Sequence, residues 1–133
     1  MTTSTQTIIH DGTAYDAVPG TIARTRLGFH PHHLRTVAEL GISLPDGGFA
    51  NTGDYVLDQA VDGGESEGTA YGLDYILHIL RAANAESWEE LKGRDLLVLF
   101  ADADAWGRQV LGLARTDGSH VFVFAGHSKH WNG

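Results

Sequence analysis

Three of the chain's eight histidines fall within four residues, His30-Pro31-His32-His33. Imidazole nitrogens are good ligands for zinc and other divalent transition metals, and the intervening proline forces a turn that brings neighbouring rings together. His30, His32 and His33 are therefore the candidate metal ligands, with Asp11, His10, His127 or His130 available to complete the set. No H-E-x-x-H spacing accompanies them. The bland reading of the same residues is an exposed polar loop at the end of a strand.

Carboxylates are the other chemistry-bearing group. Asp102-Ala103-Asp104 follows the most apolar run of the chain, where two acids could hold a cation or orient a base; the plainer alternative is the start of a turn. Asp58, Asp62, Glu65 and Glu67 gather in one glycine-rich stretch without the ligand order of an EF-hand. Regularly spaced acids can also imitate a phosphate backbone and occupy the basic groove of a nucleic-acid-handling protein. Asp54, Asp58, Asp62, Glu65 and Glu67, joined by Asp74, Glu86, Glu89 and Glu90, are the candidates for such a face. Trp131 is a candidate partner anchor, because Trp is enriched among interface hot spots.

Composition bounds these options. The chain has 133 residues and a formal net charge of −8, with 42% hydrophobic residues and no cysteine. It is long enough for one domain with a real core, and thiol catalysis, disulfides and thiolate metal sites are excluded. The arginines are scattered without a basic stripe, so direct nucleic-acid binding is not expected. Phosphate-loop, dinucleotide and nucleophile-elbow motifs are absent. No apolar run is long enough to cross a bilayer and no signal peptide is evident, which predicts a cytoplasmic protein. Histidine ordinarily gains its proton near pH 6.5, so eight of them are enough to cancel the net charge in mild acid, near the pI of about 5.3.

The elements that must position these groups follow from periodicity. Residues 1–20 read as a partly ordered segment punctuated by Asp11-Gly12 and Pro19-Gly20, with a short edge strand at Thr7-Ile8-Ile9. In the next run Ala23, Leu27 and Phe29 alternate with Arg24 and Arg26. In the one after it Leu34, Ala38, Leu40, Ile42 and Leu44 share a face opposite Arg35, Glu39 and Ser43. The two runs predict an antiparallel pair, followed by a turn at Pro45-Asp46-Gly47-Gly48 and strand character at Tyr55-Val56-Leu57.

A helix starts after Thr69 as N-cap and runs to about Ala83, with Leu73, Ile76, Leu77 and Leu80 forming the stripe that should meet the sheet. Ser87-Trp88-Glu89-Glu90 reads as a capping box. Asp95 to Ala101 predicts a central strand. Arg108 to Arg115 and His120 to Ala125 predict two more, joined through Asp117-Gly118. The whole predicts a single α+β domain over residues 21–126, an antiparallel sheet against one main helix. Residues 127–133 are expected to be a polar tail.

Several blocks carry a resemblance: Leu27-Gly28-Phe29 with a nearby histidine, Gly47-Gly48-Phe49, Gly53-Asp54-Tyr55-Val56-Leu57-Asp58, Gly68-Thr69-Ala70-Tyr71-Gly72-Leu73 and Trp88-Glu89-Glu90-Leu91-Lys92-Gly93. Together they resemble a family of small uncharacterised proteins encoded by phages and prophages. The resemblance implies a phage origin and supplies no catalytic residue.

Two functional expectations follow. The first is a non-enzymatic phage accessory protein without a cofactor that binds a host protein in the bacterial cytoplasm, inhibiting a nucleic-acid-handling or defence protein through the acidic face. The alternative is a metal-binding domain or metal-dependent enzyme built on His30, His32 and His33. A homodimer through an exposed sheet edge is a third reading.

Overall fold

The computed structural model describes residues 5–30, 35–52, 55–60, 66–105 and 108–132. The chain folds as a small α+β domain: an antiparallel sheet with one main helix and a short C-terminal helix. The strands are β1 (Gln6–His10), β2 (Thr13–His30), β3 (Arg35–Ser43), β4 (Phe49–Asn51), β5 (Tyr55–Val56), β6 (Asp58–Ala60), β7 (Ser66–Gly68), β8 (Asp95–Phe100), β9 (Gly112–Ala114) and β10 (Val121–Val123). The helices are α1 (Ala70–Ala82) and α2 (Phe124–Asn132). The main sheet runs β10-β9-β8-β2-β3-β4, with β1 added to β2 and β5 to β3, while β6 and β7 form a separate ribbon.

The described part of the N-terminal segment, residues 5–20, is built into the sheet. Asp11 and Gly12 both take positive φ, 49° and 79°, the geometry of a tight hairpin turn, and β1 folds back on the start of β2 from Gln6 opposite Ala17 to His10 opposite Thr13. Pro19 lies inside β2 and does not mark a turn. It pairs opposite Leu97 of β8, while on the other side β1 reaches only to Ala17 and β3 begins at Thr21. The N–H that proline lacks falls in that gap, where no ladder needs it.

The expected pair of strands forms β2 and β3, and Arg26 stands opposite Glu39. A register shift between Ile22 and Arg24 changes which side chains face the core. Ile22 is buried, whereas Ala23, Leu27 and Phe29 are exposed. The extra residue at the bulge sets Ala23 out of the pattern, whereas Leu27 shares the face of its buried partner Ala38 and is exposed all the same. On β3 the expected face is kept, with Ala38, Leu40, Ile42 and Leu44 all buried.

Helix α1 begins as expected, with Thr69 Oγ1 accepting from Gly72 N at 2.9 Å. Its buried face differs. Gly72, Tyr75, Ile79 and Ala82 face the sheet, while Leu73 is 62% and Leu77 37% exposed. Tyr75 fixes the rotation by packing edge-on against Phe122 at 5.2 Å, and the bare Gly72 lets the helix ride against Leu57. A Cβ there would stand 2.8 Å from the Leu57 Cα. Leu57 O in turn accepts from Thr69 N and Thr69 Oγ1, at 3.2 and 2.8 Å.

The capping box at Ser87 does not form. Ser87 makes no side-chain cap, and Glu90 Oε2 accepts instead from Glu86 N at 2.9 Å, because a single 3-10 turn over Trp88–Glu90 brings the carboxylate back one residue further. Strand β8 is buried from Leu96 to Phe100, between β2 and β9. The last expected strand is cut short: after Val123 the chain turns into α2, so Phe124 to Asn132 is a helix and not a polar tail.

Candidate metal centre

Helix periodicity brings Asp74 and His78 to one side of α1, four residues apart. Helix α2 does the same for His127 and Trp131, since it leaves β10 directly and lies against α1. The result is a convergence on one oxygen. Asp74 Oδ2 is 2.8 Å from His127 Nε2, 3.1 Å from Trp131 Nε1 and 3.3 Å from His78 Nε2. Tyr71 and Phe122 wall the His127 ring, at 4.9 and 5.2 Å between centroids. The His127 side chain is only 5% exposed.

An indole N–H only donates, so Asp74 Oδ2 is an acceptor. Burial acts to raise the Asp74 pKa, but donation from His127 and Trp131, with the charges of His78 and His127, outweighs it and holds the carboxyl below its usual value. The second ring nitrogen of His78, Nδ1, lies 3.1 Å from His120 Nε2, and those two rings stack at 5.2 Å. Burial holds His78 below the ordinary histidine value, helped by His127 and Arg81 and opposed by Asp74. His120 is lowered in the same direction by burial and by His78, Arg81, Arg115 and His10. Among the described residues, the buried Nδ1 of His127 has no hydrogen-bond partner.

Asp74, His78 and His127 can each offer one ligand atom, all within 4.8 Å of one another. A tetrahedral ion with bonds of about 2.0–2.1 Å keeps its donors about 3.3 Å apart. The 3.3 Å separation of His78 from Asp74 is of that size, while the 2.8 Å separation of His127 from Asp74 would have to open by about 0.5 Å. As they stand, the distances suit Nε2 hydrogens pointing at the carboxylate; an ion bound there would replace those hydrogens. An ion held by two imidazoles and one carboxylate would keep a coordination position for another ligand, and the three donors line a cleft of about 330 Å3. Val121 to Val123, Gly126, His130, His10 and Asp11 line that cleft together with the three donors.

The structure assembles these groups from residues that the sequence reading had set to other uses. His10, Asp11, His127 and His130, weighed as supplementary ligands to the His30 cluster, line one cleft. His32, His33 and the His30 side chain lie outside the described residues. Asp74, counted on the acidic face, turns onto N–H donors. Trp131 is 41% exposed and one of those donors.

Of the other acidic candidates, Asp54, Asp62 and Glu65 lie outside the described residues. Glu67 is exposed on β7. Both Asp58 oxygens accept from Thr36 N at 3.1 Å. Asp102 Oδ1 accepts from Asp104 N at 2.9 Å, the turn alternative for that pair. The missed signal was Asp74-x-x-x-His78 on the most regular helix of the chain. Its partner His127 is 53 residues away and carried no local mark.

Among the described residues no helix is long and apolar enough to cross a membrane. No protein-family model matches the chain, and no curated protein matches it.

Proposed function

We propose that the protein binds a divalent transition metal, zinc being the ion that the donor set fits first, through Asp74 Oδ2, His78 Nε2 and His127 Nε2. The observation that carries this reading is the mutual 4.8 Å limit on the three ligand atoms, combined with a side of the site that opens to a cleft. Two further features support it. Metal-bound histidines characteristically engage their second ring nitrogen, as His78 does with His120, although His127 Nδ1 has no such partner among the described residues. Trp131 holds the carboxylate in place from the far helix. The reading keeps the metal-binding alternative drawn from the sequence and moves it from His30, His32 and His33 to a different set of residues.

It is preferred to the acidic docking face because two of that face's carboxylates, Asp58 and Asp74, are spent on internal N–H groups. The phage resemblance adds no residue to the site. Calorimetric titration of chelator-stripped protein with zinc, followed by elemental analysis after dialysis, tests the proposal. Uptake of about one ion per chain at micromolar metal, lost in Asp74→Asn and His127→Ala, is the expected result. No uptake, or uptake that both variants leave unchanged, overturns it.

A further inference from the structure

Strand β10 forms an edge, and among the described residues it pairs with β9 alone. Arg115 N donates to His120 O at 2.9 Å, and Phe122 O stands where a side chain on Gly112 would be. His120 and Phe122 therefore turn their backbone groups toward β9. In an antiparallel ladder this direction alternates from residue to residue. Val121 thus directs its N–H and C=O, and Val123 its N–H, away from β9. The whole of β10 is one wall of the cleft that holds Asp74, His78 and His127. Gly126 and His130 of α2 form a second wall, and His10 and Asp11 of the β1–β2 turn a third.

We propose that this cleft takes an extended polypeptide segment of a partner protein, its backbone hydrogen-bonded to Val121 and Val123 and one of its carbonyl oxygens on the open position of the metal. The proposal rests on the metal reading of the same site. The wall itself fits this occupant: a donor, an acceptor and a second donor at strand spacing match the backbone of an added strand. The Val121 and Val123 side chains pack beside Ala17, Leu97, Leu99 and Ala114 on the sheet face away from α1. The edge is thereby fixed before anything binds, which lowers the cost of ordering it. A cleft of about 330 Å3 holds only a short stretch of chain. A second copy is the poorer occupant, because its own β10 is recessed between the same two flanking walls.

Two probes separate the metal from the edge: acetohydroxamate, which offers only a metal-chelating head, and N-acetyl-Val-Thr-Val hydroxamate, which adds an extended backbone to the same head. Zinc-loaded, 15N-labelled protein should bind the peptide probe about tenfold or more tighter than the small one, the effect of two to three backbone hydrogen bonds. The Val121 and Val123 amide signals should move with the peptide probe alone.

Val121→Pro removes an N–H that the β9 ladder does not use, a substitution an edge strand tolerates. It should bring the peptide probe to the affinity of the small one while zinc affinity stays unchanged. Val123→Pro, just before α2, gives the same readout if the first variant fails to retain zinc. Equal affinities for the two probes, or indifference to both proline variants, overturn the proposal while leaving the metal reading intact. Loss of zinc uptake itself is the separate failure of that reading. A concentration-dependent mass abolished by Val121→Pro would assign the edge to a second copy and overturn it as well.

Discussion

Asp74 Oδ2 receives N–H groups from two helices, so its replacement acts on stability and on metal at once. Asp74→Asn keeps the volume but removes the charge, and hydrogen bonds to charged groups are worth about 1.5–3 kcal/mol. A drop in stability of that order by urea unfolding, together with loss of zinc binding, is expected; wild-type behaviour in either measurement would speak against the geometry. His120 touches only His78 Nδ1 among the candidate ligands' nitrogens. His120→Phe keeps an aromatic ring beside His78 and deletes the acceptor, which should weaken zinc binding about 10–100-fold. An unchanged affinity would show that His120 does not position the ligand.

The histidines also set a pH dependence. Burial, the charges of Arg81 and Arg115, and the neighbouring His127 and His10 keep His78 and His120 below 6.5 in the folded protein, against the pull of Asp74 on His78. On unfolding both return to about 6.5, so below that value the unfolded chain binds more protons. Their contribution to stability is complete above pH 6.5 and falls as pH drops through the window beneath it. Asp74, held below 3.8, repeats the pattern at lower pH. Thermal scans of dilute metal-free protein from pH 7.5 downward should show the melting temperature falling below about pH 6.5. A flat profile in wild type, or an unaltered slope in a His78→Phe and His120→Phe double variant, contradicts this assignment.

At the scale of elements, α1 carries the sharpest test. A helix-interior glycine replaced by alanine ordinarily gains about 0.8–1 kcal/mol. Gly72→Ala should instead destabilise, because its Cβ would meet the Leu57 backbone. Thr69→Ala removes both the cap on Gly72 N and the hydroxyl bond to Leu57 O, at a cost of about 1–2 kcal/mol. Leu73→Ser should cost little, since Leu73 faces solvent and surface changes usually stay within about 0.5 kcal/mol. Denaturant midpoints for these variants rank the faces of α1. A stabilised Gly72→Ala beside a crippled Leu73→Ser would mean that the leucine stripe is the buried one.

The whole molecule shows which features sequence patterning could reach. Alternation on β3, the run of apolar residues in β8, the Thr69 cap and the Asp117-Gly118 turn were all legible, and with them the antiparallel α+β class. Leucine spacing found only one edge of the buried face of α1: Ile76 and Leu80 pack against the core while Leu73 and Leu77 are exposed, because the centre of the face is made by Tyr75, Ile79 and a glycine against which Leu57 closes. Residue type hid α2, whose inward face is Phe124, a buried histidine and Trp131, spaced at i, i+3 and i+7 and read as polar chain. The candidate centre was hidden for a third reason: its ligands come from two helices and meet only after β10 has turned the chain back over α1.

The metal centre is decided by which imidazoles an ion finds. Long-range 15N–1H NMR of the histidine side chains during a zinc titration reads each ring nitrogen separately. The account predicts that Nε2 of His78 and Nε2 of His127 move to the metal-bound position together, saturating at about one equivalent. Movement of His30, His32 and His33 with His78 and His127 unmoved, or no movement at all, would contradict it.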